Sequence, residues 1–86
     1  MDVNKKDYEK YIQPFFDKVY ELKDIDKVDE ILVGDILINA AKSEFNFEKL
    51  KKIILSITEI QKKFFIKNGI QGELDNIIKF FNENSK

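Results

Sequence analysis

The sequence predicts an all-α protein: a small up-and-down four-helix bundle with a kink at Pro14 in its first helix. Three observations point there. Apolar residues recur at intervals of three and four along four segments. The connections between those segments, near 23–25, 43–46 and 69–72, are short enough to join antiparallel neighbours. The chain has 86 residues, which suffices for one domain, 1–86, with one modest core.

The first helix is expected over 5–22, with Tyr8, Tyr11, Ile12, Phe15, Val19 and Leu22 on one face. Asn4 suits its N-cap. Pro14 falls inside this run, where it removes a hydrogen bond and crowds the preceding turn, so a kink is expected, with a break near Gln13 as the alternative. Phe16 and Tyr20 lie at the edge of the stripe.

The second segment, DIDKVDEILVGDILINAAK, reads as a helix capped by Asp24 or Asp26, with Leu32, Val33, Ile36, Leu37, Ala40 and Ala41 on a broad side. Ile31 and Ile38 point elsewhere with Asp35 and Lys42, so this helix is expected to be covered from two directions. The competing reading is a hairpin in which Gly34 and Asp35 turn ILV into ILI. Arms that short are poorly stable in an otherwise helical chain, so helix is the choice.

The third helix is expected over 47–68, with Asn46 as N-cap and Gly69 as the left-handed terminator. Leu50, Ile53, Ile57, Ile60 and Phe64 keep to one stripe, and with Ile54 and Phe65 they span an arc of about 140°. Leu55 and Ile66 fall on the far side with Lys51, Lys62 and Glu59. The fourth helix starts near Gly72 and presents Leu74, Ile77, Ile78 and Phe81, while Ile70 is placed to pack back on the preceding helix. Phe80 stands about 100° from Phe81, off that stripe.

Composition narrows the function classes. No cysteine or histidine is present, so thiolate and imidazole chemistry and a disulfide framework are excluded. Ser43, Ser56, Thr58 and Ser85 are scattered, with no base near any of them in sequence. An enzyme is not expected, nor a cofactor or small-molecule substrate. The acidic run holding Asp24, Asp26, Asp29 and Glu30 fails as a calcium loop, because Val28 and Asp29 stand where a ligand and a glycine are required, and no metal is expected. No apolar run reaches the roughly 18–20 residues of a membrane span, and no apolar stretch follows the first lysines, so a soluble cytoplasmic protein is expected.

Charge and leftover apolar residues carry the functional expectation. Residues 1–45 hold eleven acidic and seven basic groups, net −4, whereas residues 46–69 hold two acidic groups and six lysines, net +4. A lysine-rich helix with apolar residues outside its core stripe suits a macromolecular contact. The expected partner is a protein or a second copy of the chain, in an inhibitor, immunity or assembly-subunit kind of role. The expected contact residues are Leu55, Ile66, Lys51, Lys62 and Lys63, with Phe80 and Phe16 as secondary ones. The alternative is nucleic-acid backbone binding through the lysine row, disfavoured by the lack of arginine and a pI near 5.5.

Overall fold

The computed structural model describes residues 1–22 and 27–85. The chain is all-α, and its described residues form five helices where four were expected. The first, α1, is built from three consecutive stretches: Lys5–Asp7, a π-helical Tyr8–Ile12, and Gln13–Leu22. It is followed by α2, Lys27–Ser43; α3, Phe47–Leu55; α4, Glu59–Lys67; and α5, Gln71–Glu83. The hairpin alternative for 31–38 is therefore set aside in favour of helix. The capping roles of Asp24 and Asp26 lie outside the described residues.

Local chemistry sets the helix ends. Asn4 and Asn46 accept hydrogen bonds from the backbone N–H groups of Asp7 and Lys49, at 3.0 and 2.9 Å, which satisfies donors that a helix start leaves open. At the end of α4, Gly69 takes φ +79 and the Ile70 N–H reaches back to the Phe65 carbonyl at 2.9 Å. This closes a Schellman turn, and Ile70 is buried as its hydrophobic partner. At the end of α2 a glutamate, Glu44, takes the left-handed conformation with φ +50. Past it the chain pairs with the N-terminus: Val3 donates to the Phe45 carbonyl at 2.7 Å and Phe47 to the Met1 carbonyl at 2.9 Å, which buries Val3.

Pro14 is accommodated by the π-helical stretch just before it. There the Gln13 N–H bonds the Tyr8 carbonyl, five residues back, and the ordinary ladder resumes over Gln13–Leu22. A π-turn shifts the carbonyls that the proline ring would otherwise meet, so helix runs on both sides of the proline rather than stopping at Gln13.

The larger departure is in the third expected helix, which is two. After Leu55 the backbone tightens, with Ser56 and Ile57 bonding to the Ile53 and Ile54 carbonyls at 3.3 Å. Thr58 then takes an extended conformation and caps a new helix. Its hydroxyl accepts from the Gln61 N–H at 3.2 Å while the Gln61 side chain accepts from the Thr58 N–H at 2.9 Å, a complete capping box. The Gln61 amide also donates to the Leu32 carbonyl at 2.8 Å, which ties the start of α4 to α2. The break resets the helical phase. Ile57 stays buried, but Ile60, placed in the core stripe by a continuous wheel, is 68% exposed.

The core runs between α1, α2, α3 and α5, with α4 closing it against α5. Phe15, Phe65 and Phe81 are fully buried, and the rings meet edge-on: Phe15 with Phe65 at 5.4 Å and Phe47 with Phe81 at 5.2 Å between centroids. Tyr8 packs edge-on against Phe45 at 4.8 Å. Burial, and secondly the Asp17 carboxylate, hold its phenol pKa above the ordinary value near 10. The radius of gyration, 12.2 Å, matches the ~12 Å of a close-packed chain of this length.

Candidate functional site

Two of the expected contact residues belong to the core. Phe80 and Phe16 are each only 8% exposed. Phe80 stacks on Tyr11 of α1 at 5.1 Å and also meets Phe47 of α3, because α5 is packed by both helices and needs a wide apolar face. Phe16 lies beside Phe15, on a helix flanked by α2 as well as α5. Neither is available to a partner.

Leu55 and Ile66 are on the surface, 57% and 48% exposed. The break at Ser56–Thr58 puts them on different helices, so the single line that a continuous helix would draw through them does not exist. Lys62 lies 3.6 Å from Glu59 in a surface ion pair, and Lys63 is exposed. Lys51 joins Leu55, Lys52 and Ser56 around a shallow depression on α3. Of the expected set, that depression gathers Leu55 and Lys51.

The depression opens beside a larger groove, with Lys52 and Ser56 bordering both. The groove, of about 600 Å³, runs between α2 and the α3–α4 junction. Its apolar lining comes from Ile36, Ile53 and Ile57, one from each side and one from the junction itself. Three lysines rim it: Lys42 from α2, Lys49 and Lys52 from α3. None of the three has a carboxylate within salt-bridge distance among the described residues. Asp35 is the acidic group in the lining, against three positive ones.

Three polar side chains of the lining, Ser43, Thr58 and Gln61, are already engaged. The Ser43 hydroxyl donates to the Asn39 carbonyl at 2.7 Å, and both ends of the Gln61 amide are used by Thr58 and Leu32. No buried side-chain nitrogen or oxygen among the described residues lacks a partner. What the groove offers a ligand is chiefly isoleucine surface and ammonium charge, and with three lysines against the one carboxylate of Asp35 its lining carries a net positive charge that attracts acidic groups.

Wheel reasoning missed this site because it is made by the break. The signal was present in the sequence as Thr58-Glu59-Ile60-Gln61, the capping-box pattern of a helix start. Among the described residues, no group of three or more acidic side chains is arranged to hold a metal ion, and no helix is long and apolar enough to cross a membrane. Comparison with protein-family models, with curated proteins and with solved structures finds no match to this chain.

Proposed function

We propose that the protein is a non-enzymatic binding module, of the inhibitor, immunity or assembly-subunit kind, that takes a protein partner in the groove between α2 and the α3–α4 junction. The observation that carries this reading is the combination of an isoleucine-lined cleft with three rim lysines that have no carboxylate partner among the described residues. Charge complementarity gives the chemistry of the occupant: an amphipathic segment with apolar residues on one side and Asp or Glu beside them. Leu55, with its depression beside Lys52, extends the same contact.

The lysines act here mainly on encounter and orientation, while the isoleucines supply the apolar area. Charge reversal is therefore informative without touching the core. Lys49→Glu combined with Lys52→Glu should leave the helical circular dichroism and thermal midpoint nearly unchanged, because both side chains are exposed. The partner recovered with the wild-type protein, purified and titrated by calorimetry, should bind the double variant at least about tenfold more weakly. An unchanged affinity removes the groove from the reading. A captured species that is nuclease-sensitive, and whose affinity falls roughly 10³-fold or more between about 50 and 200 mM salt, replaces it with phosphate-backbone binding.

A further inference from the structure

The turn that joins α4 to α5 contains a reactive pair. Of the asparagines in the chain, Asn68 alone is followed by a glycine. In such a pair the glycine nitrogen can attack the asparagine side-chain carbon, because the following residue has no Cβ to block the approach and its backbone bends freely. Both residues are exposed, so water reaches them.

The folded turn holds the reacting groups apart. Asn68 has φ −97 and ψ 15, which carries the Gly69 nitrogen well round the Cα–C bond from the Asn68 side chain, whereas closing a five-membered ring needs the two nearly eclipsed. The leaving group is tied as well: the Asn68 side-chain amide donates to the Phe64 carbonyl at 2.9 Å. The Gly69 N–H donates to the Ile66 carbonyl at 3.1 Å, and the Ile70 N–H closes the Schellman turn on the Phe65 carbonyl at 2.9 Å. Burial of Ile70 anchors the arrangement. Releasing these bonds is an event local to the joint, and such openings are more frequent than unfolding of the whole chain.

We propose that Asn68 is a site of spontaneous self-modification, gated by opening of this turn, whose isoaspartyl product uncouples α4 from α5. In the open turn the Gly69 nitrogen gives up its proton and bonds to Cγ of Asn68, while the Cγ–Nδ2 bond breaks and ammonia leaves with that proton. Water then adds to one of the two carbonyls of the imide ring and opens it. Addition at the side-chain carbonyl leaves aspartate at position 68. Addition at the main-chain carbonyl leaves an isoaspartyl linkage, in which the chain runs through the former side chain.

The two products damage the turn to different degrees. Aspartate has no amide hydrogen for the Phe64 carbonyl and sets a negative charge at the negative end of α4. The isoaspartyl form also adds a carbon to the main chain between residues 68 and 69. The Ile70 N–H then no longer meets the Phe65 carbonyl in register, and Ile70 loses the geometry that buries it.

Incubation of the protein at mildly alkaline pH, in buffer and in concentrated guanidinium chloride, followed by peptide mapping with mass spectrometry, tests the proposal. In the denaturant Asn68 is expected to convert before any other asparagine, and at least about tenfold faster than it does in buffer, where the turn is closed most of the time. Asn68→Gln should keep the fold and lose this conversion, since its longer side chain must close a larger ring. Isoaspartyl protein purified from the mixture should melt at least about 4 °C below the parent, and Asn68→Asp should lose less, because it has the charge without the added carbon. The proposal is overturned if another asparagine converts first in denaturant, if Asn68 converts equally fast in the two solutions, or if it does not convert in buffer at all. An isoaspartyl protein that melts with the parent, or no lower than Asn68→Asp, overturns it as well.

Discussion

Replacing Thr58 by alanine gives opposite signs in the two geometries open to this chain. If residues 47–67 formed one continuous helix, Thr58 would sit in its interior, and alanine, the stronger helix former, would stabilise by about 0.5 kcal/mol. In the structure Thr58 is instead an extended N-cap whose hydroxyl accepts from Gln61 at 3.2 Å. Removing that acceptor leaves a helix-start N–H to water and costs about 1 kcal/mol, within a range of roughly 0.5–2. Gln61→Ala is expected to cost more, about 1–2 kcal/mol, because it removes both the reciprocal bond to the Thr58 N–H and the part-buried bond to the Leu32 carbonyl. Urea unfolding followed by circular dichroism resolves such differences when the slopes of the transitions agree. For a domain of this size about 1 kcal/mol corresponds to roughly 4–8 °C in thermal midpoint. A Thr58→Ala protein more stable than wild type would refute the break, and with it the groove that the break creates.

Three further outcomes are expected from the same packing. Ile60→Ala should change stability by no more than about 0.5 kcal/mol, while Ile54→Ala in the neighbouring helix should cost about 2–5 kcal/mol; equal losses in urea unfolding would restore the continuous wheel. Gly69→Ala should destabilise by roughly 1–2 kcal/mol, since alanine must take φ +79 there, and a neutral result in the same assay would show that the Schellman turn is not formed. Tyr8 is neutral in the fold beyond the pH at which it ionises when unfolded, so the unfolded chain loses its proton first and stability declines as pH rises above about 10. Tyr8→Phe should flatten that decline in a pH series of thermal midpoints, and an unchanged slope would place the tyrosine in water.

Sequence alone determined the features that short-range chemistry controls. Asn4 and Asn46 as caps, Gly69 with Ile70 as a terminator, and helix over 31–38 all depend on residues within one or two turns of each other, so their signals survive without tertiary knowledge. The all-α class follows from the same local periodicity. The Thr58–Gln61 box belonged to this legible group, but an uninterrupted run of apolar intervals overshadowed it.

Tertiary structure decided which apolar residues are hidden. A helical wheel ranks residues against one inner direction, whereas α1 and α5 each touch more than one neighbour, so Phe16 and Phe80 are enclosed despite lying off the main stripe. Conversely, Ile60 is on the surface because three residues at the break turn α4 about its axis relative to α3. The groove has the same origin. Ile53, Ile57 and Ile36 line it, and Lys42 meets Lys49 and Lys52 across it, because α2 passes beside the α3–α4 junction, a relation between distant segments that no local spacing encodes.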